Sequence, residues 1–241
     1  MKAFASDIDG TLVFDGKIKD SDIKAIRKYQ ENNLFGVCSG RSRSSVNELI
    51  EIGLDFYILS TGALILDKDL NIIKSDLFDE KIARELFDNY YQKAQIVIQT
   101  ESEKYLYVTI DEHQPHLKVI NSFEEINGED IYGVSLVFKN EEIAKKECLM
   151  LNNKYLEIEG FQNLNAIDFV KRGCSKGEGV KWLKEYYNLE QVAGIGDSYN
   201  DIPLIECSDV SFTFKHVNKE LKDKVDYIVD SVEEAIGRLG D

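Results

Sequence analysis

Apolar and polar positions over the first 66 residues alternate between two periods. Short apolar runs at 2–6 (KAFAS), 34–38 (LFGVC) and 55–60 (DFYILS) read as strands. Between them, 21–33 carries Ile23, Ile26 and Tyr29 at helical spacing behind Ser21 as N-cap, and 44–53 reads as a second helix closed by Gly53. Strand, helix, strand, helix, strand in this rhythm implies parallel pairing through right-handed crossovers, hence an α/β sheet. The rhythm returns near the other end. It predicts a helix over 176–188, a strand over 191–196 and a helix near 200–207. Strands over 209–214 and 226–230 and a closing helix from Ser231 follow.

The middle follows another pattern. From about 80 to 170 it predicts a helix (80–94), strands at 95–100, 104–110 and 132–138, a helix (141–153), and strands at 155–160 and 165–170. Neighbouring strands alternate, as in YLYVTI, which suits an antiparallel sheet with one face covered by helices. The expected architecture is therefore a discontinuous Rossmann-like parallel core, residues 1–79 and 171–241, with an inserted α+β domain over 80–170. No internal repeat or low-complexity segment interrupts it.

Composition narrows the function. A chain of 241 residues with 43% hydrophobic residues and two prolines folds rather than staying disordered. Its net charge of −15 argues against nucleic acid or an anionic membrane as partner. A small anionic substrate is compatible if the site brings its own cations. Asp7 interrupts any signal-like apolar run, and no window approaches the ~20 apolar residues of a membrane span. Cys38, Cys148, Cys174 and Cys207 form no C-x-x-C pair and read as reduced thiols, so a cytoplasmic protein is expected.

The candidate chemistry lies where strands of an open α/β sheet end. Asp7 and Asp9 follow the first strand, Ser39 and Gly40 the second, Lys176 opens the helix after the insert, and Asp197, Asn200 and Asp201 follow the strand at 191–196. Taken singly, each has an ordinary reading as a solvated turn or a surface lysine; sharing one end of the sheet sets them apart. Two carboxylates one residue apart repel, and a cation relieves that repulsion. Asp7, Asp9 and Asp197 are hard oxygen donors suited to Mg²⁺. One carboxylate can then act as a nucleophile on phosphorus. Ser39, the Gly40 N–H and Asn200 can hold phosphate oxygens, Lys176 adds a point cation, and Asp201 can orient Lys176 or the waters of the metal.

These motifs, DIDGTL, CSGRS, SKGEG and GDSYNDIPL, resemble in order the four motifs of the haloacid dehalogenase superfamily. Within it they resemble the Cof-type phosphatases with a type IIB α/β cap, and the resemblance spans essentially the whole chain. It implies that Asp7 is the nucleophile and Asp9 the general acid/base. Asp7, the Asp9 backbone carbonyl and Asp197 would hold Mg²⁺; Ser39, Gly40, Lys176 and Asn200 would hold the phosphate. The family places a substrate-contacting arginine near Arg41. Two letters depart from its pattern: Ser39 stands where Thr is usual, and Thr61 in STGAL where Asn is common.

The expected activity is Mg²⁺-dependent hydrolysis of a small phosphorylated metabolite, a sugar phosphate foremost, by a monomer or homodimer. A phosphomutase is the alternative enzyme, since phosphomannomutases of higher organisms resemble this core and cap. A phospho-ligand-binding module without turnover is the alternative of another class, and Asp9 speaks against it, because binding alone has no need of that carboxylate. HQPH at 113–116 reads as an exposed turn, the tyrosine pairs at 90–91 and 186–187 as packing residues, and GIGDS lacks the continuation of a nucleotide loop.

Overall fold

The computed structural model describes residues 1–101, 104–107 and 118–240; HQPH lies outside them. Two sheets organise the chain. The first begins with β1 (Lys2–Ser6), β2 (Leu34–Cys38) and β3 (Phe56–Leu59), extended by β4 (Leu64–Asp67) and β5 (Ile72–Ser75). After the chain returns from the second sheet, β12 (Gln191–Ile195), β13 (Val210–Phe214) and β14 (Tyr227–Val229) complete it in the order β14-β13-β12-β1-β2-β3-β4-β5. The six strands from β14 to β3 run parallel, and β4 and β5 turn back antiparallel.

Alternation along the central strand separates two layers. Phe4 faces α1 (Asp20–Tyr29) and α7 (Val232–Arg238), stacked between Phe35 and Phe212. Ala3 and Ala5 face the other way, toward α4 (Lys176–Tyr186) and α5 (Ile202–Cys207), with Cys38, Ile58, Val180 and Leu204. Small residues on that side let α4 approach the sheet closely, which fixes where its first residue stands.

The second sheet contains β6 (Gln95–Thr100), β7 (Lys104–Tyr107), β8 (Lys118–Val119), β9 (Ile131–Val137), β10 (Ile158–Asn163) and β11 (Ala166–Lys171), in the order β10-β11-β9-β6-β7-β8. All its pairings are antiparallel except β7 with β8. One face is covered by α2 (Glu80–Tyr90) and α3 (Glu141–Lys154) through a core containing Leu86, Ile98, Leu136, Leu151 and Phe169. Asp79 caps α2 by accepting from the N–H groups of Lys81 and Ile82. No helix of the described residues is long and apolar enough to cross a membrane.

Four local expectations are corrected. The segment 44–53 forms two 3₁₀ pieces, Arg43–Ser45 and Asn47–Ile52, instead of one α-helix. The Ser42 hydroxyl bonds those of Ser44 and Ser45, and Val46 at φ −120° separates the pieces. The cap of α1 is Lys19, not Ser21, and the helix ends at Tyr29; beyond it Asn33 turns to accept from the Lys2 N–H. The strand expected at 155–160 spans Ile158–Asn163, because Tyr155 ends α3 by donating its N–H to Leu151. Strands β4 and β5 were not anticipated at all.

Candidate active site

Three parallel strand ends and one helix start converge on a single point. Beyond β1, the N–H groups of Thr11, Leu12 and Val13 all turn back to the Ile8 carbonyl, which folds the Asp7–Val13 loop tightly over the strand end. Gly10 adopts φ +79° in that turn, a region that favours glycine. Asp7 itself is anchored by its N–H to the Ile195 carbonyl of β12.

Lys176, at the N-terminus of α4 behind the Ser175 cap, is 1% exposed and reaches across the sheet. Its Nζ donates to Asp7 Oδ1 (2.6 Å) and Asp201 Oδ1 (2.5 Å). The second Asp201 oxygen accepts from the N–H groups of Asp197 and Ser198 (3.0 Å each), so Asp201 is fully used in positioning. Asp197 accepts from Thr11 Oγ1 (3.1 Å).

Asp7, Asp197 and Asp201 each bring a carboxylate oxygen within 4.8 Å of the others. Burial, joined by the Asp201 carboxylate and opposed by Lys176, pushes Asp7 up to about 8. Burial and Asp201 raise Asp197 too. Burial works against the Lys176 charge, yet Asp201 and Asp7 hold it protonated. A single lysine thus leaves the cluster short of positive charge. The donors are hard oxygens, and Asp201 is committed to Lys176 and the backbone. A hard divalent cation such as Mg²⁺ fits between Asp7 and Asp197 on these grounds.

Asp9 lies apart from this trio. Its side chain is 64% exposed and is gripped by Arg41, Nε to Oδ2 at 2.9 Å and Nη2 to Oδ1 at 2.7 Å. Ser39 is buried, and its Oγ accepts from the Arg41 N–H (3.2 Å). Asn200 is buried and held by Ser198, whose Oγ donates to its Oδ1 (2.5 Å). All nine residues singled out in the sequence thus gather at this end of the sheet. Asp7, Asp9, Ser39, Gly40, Arg41 and Asn200 line one cavity of about 180 Å³.

The opposite wall of the cavity was not foreseen. Gln99, Ser135, Asn163 and Asp168 of the second sheet complete it. Gln99 spans the two sheets: it accepts from Ser60 Oγ (2.7 Å) and donates to the Gly40 carbonyl (3.1 Å). Ser60 and Thr61 both hold positive φ, 46° and 54°, and their N–H groups bond the Arg41 and Ser39 carbonyls. This turn braces the Ser39–Arg41 loop from behind. A sequence signal for the wall existed at Ser135 and Asp168, each a polar residue between two apolar ones within its strand, but a solvent-facing position leaves the same mark.

The model of the haloacid dehalogenase-like hydrolase family matches residues 4–237. A 5-amino-6-(5-phospho-D-ribitylamino)uracil phosphatase of Bacillus subtilis, YcsE, is 26% identical over 99% of this chain and 94% of its own. Among solved structures, a haloacid dehalogenase-like hydrolase from B. subtilis superposes with a TM-score of 0.87 at 19% identity, covering 98% of this chain and 96% of that one. A subclass IIB sugar phosphatase of the same superfamily superposes with a TM-score of 0.82 at 18% identity, covering 100% and 99%. The chain belongs to the haloacid dehalogenase-like hydrolase family.

Proposed function

We propose that this chain is a Mg²⁺-dependent phosphohydrolase that cleaves phosphate monoesters of small metabolites, sugar phosphates foremost, through an aspartyl-phosphate on Asp7. The observation that carries this reading is the buried Asp7–Lys176–Asp201 chain beside Asp197, opening onto a cavity walled by Ser39, Gly40 and Asn200. The names of the relatives support the substrate class, since one acts on a phosphorylated ribityl chain and one on sugar phosphates. Residues 80–170 serve as the cap over the site.

In the first step an Asp7 oxygen attacks phosphorus and the leaving oxygen departs in line. Lys176 keeps Asp7 oriented and offsets charge on the transferring group, with Asp201 holding the ammonium in place. Ser39 Oγ, the Gly40 N–H and Asn200 hold the phosphate oxygens. Asp9, when protonated, gives up one of its Arg41 bonds and donates its proton to the leaving oxygen. As a carboxylate again, it takes a proton from the water that hydrolyses the aspartyl-phosphate. Asp7, the Asp9 carbonyl and Asp197 would hold Mg²⁺, which supplies positive charge to keep Asp7 ionised and the phosphate neutralised.

The test is phosphate release from a panel of esters with and without Mg²⁺. Asp7→Asn is expected to lower release by about 10³-fold or more with the fold retained. Unchanged turnover in that variant would discard the mechanism. Conversion of a hexose 1-phosphate into its 6-phosphate without free phosphate would shift the assignment to a mutase.

A further inference from the structure

Three successive carbonyls of the Ser39–Arg41 loop are held from two sides. The turn after β3 holds the outer two: the Thr61 N–H donates to the Ser39 carbonyl (3.0 Å) and the Ser60 N–H to the Arg41 carbonyl (2.9 Å). The carbonyl between them, that of Gly40, accepts from Gln99 Nε2 (3.1 Å), and Gln99 Oε1 accepts from Ser60 Oγ (2.7 Å). Gly40 and Ser60 stand on loops of the first sheet, whereas Gln99 stands on β6 of the second. Ser39, Ser60, Thr61 and Gln99 are all buried, so a bond lost here leaves its partner unpaired away from water.

Both holders are built to stay in place. Ser60 and Thr61 keep positive φ, which for the β-branched Thr61 is an outlier, and such strain persists only where the surroundings over-determine it. Behind them Gly62 lies against the cap of α4; a Cβ there would come within 2.1 Å of the Ser175 carbonyl. The turn therefore cannot yield toward the helix that begins with Lys176. Gln99 is aimed by its own sheet. It lies opposite Gly133, which has no side chain to cover it, where the pairing of β6 with β9 slips register. Irregularities of this kind re-aim side chains beside functional sites.

The Gln99 bond fixes the Gly40–Arg41 peptide. With its carbonyl held by Gln99, that peptide turns its N–H to Ser39 Oγ (3.2 Å), and the Ser39 hydroxyl is left to donate into the cavity it lines. Glycine resists rotation least of all residues. Released from Gln99, the peptide can swing its carbonyl toward Ser39 Oγ and take the proton that a phosphate oxygen would use. Resting on the phosphohydrolase reading, we propose that Gln99 is a positioning residue for the phosphate loop. Docking of the second sheet against the first completes the phosphate site through Gln99 and the Ser60–Gly62 turn, whatever leaving group is bound.

Inorganic phosphate is the deciding probe, because it has no leaving group. Its inhibition constant is measured in the presence of Mg²⁺, beside kcat and KM for p-nitrophenyl phosphate and glucose 6-phosphate. In Gln99→Leu, which keeps the bulk and removes both bonds, the phosphate constant is expected to rise by about tenfold or more. For both esters kcat/KM then falls by at least the same factor. Ser60→Ala shifts both in the same direction by less, since Nε2 can still reach Gly40. A folded Gln99→Leu that binds phosphate as wild type does, even with a lowered urea midpoint, overturns the assignment and leaves the phosphatase standing. So does a loss confined to one ester, which would make Gln99 a leaving-group contact. If Gln99→Leu fails to fold by circular dichroism, Ser60→Ala decides by the same criterion. A wild type that releases no phosphate from either ester overturns the phosphohydrolase reading, and calorimetry of phosphate binding then judges Gln99 separately. A wild type that also fails to bind phosphate overturns both.

Discussion

A side chain at Gly10 would have its Cβ 2.6 Å from Asp197 Oδ2, in a turn that already requires φ +79°. Gly10→Ala therefore strains the backbone and displaces a proposed metal ligand at once. A loss of about 1–3 kcal/mol in stability and a weakened Mg²⁺ dependence are expected, read by urea melts and by Mg²⁺ titration of phosphate release. Wild-type Mg²⁺ dependence in that variant would remove Asp197 from the metal site. Tyr29 illustrates the opposite case, a residue whose hydroxyl costs stability. Its OH is buried with no hydrogen-bond partner among the described residues, while its ring meets Phe4 edge-on at 6.3 Å. Tyr29→Phe keeps the ring and is expected to leave stability unchanged or raise it by about 1 kcal/mol. A drop of that size in the urea midpoint would mean the hydroxyl is satisfied after all.

At the scale of elements, the position of Lys176 depends on how α4 meets its neighbours. Gly177 lies against α5, and a Cβ there would come within 2.3 Å of the Pro203 carbonyl. Backbone cannot rotate aside as a side chain can, so Gly177→Ala must push the helix start outward and carry Lys176 with it. Destabilisation of about 1–3 kcal/mol should accompany a loss in kcat of about tenfold or more. Lost stability with unchanged kcat would show that Lys176 tolerates the shift. The same scale explains why 44–53 is not one α-helix: the Asn47 amide donates to the Ser44 carbonyl and Arg41 Nη1 to the Ser45 carbonyl, so side chains take acceptors that the backbone ladder would use.

Over the whole molecule, the uncompensated site ties stability to pH. Asp7 titrates near 8 in the folded chain without metal and near 4 when unfolded. Between those values the folded state binds a proton that the unfolded state has released. This contribution to stability therefore falls as pH rises from about 4 to about 8. A divalent cation that binds only the folded state competes with that proton and gains affinity over the same window. The rise in Tm on adding Mg²⁺ is thus expected to be larger at pH 8 than at pH 5.5, and the difference should shrink in Asp7→Asn. A rise equal at both pH values would uncouple Asp7 from the cation.

The sequence by itself determined the strands at 2–6 and 34–38 to the residue, because strands buried on both faces appear as bounded apolar runs. It also determined which residues gather at the site, since each follows a strand end or opens a helix, and chain order alone carries them to one edge of a parallel sheet. Only the tertiary structure decided their partners. Lys176 meets Asp7 across 169 positions of chain, and Arg41 takes the Asp9 carboxylate from a neighbouring strand end. It also decided the far wall of the cavity: Gln99, Ser135 and Asp168 are polar positions on alternating strands, and alternation states only that two faces differ. Whether the polar face meets water or a ligand depends on what the second sheet is laid against, and here that is the Ser39–Arg41 loop.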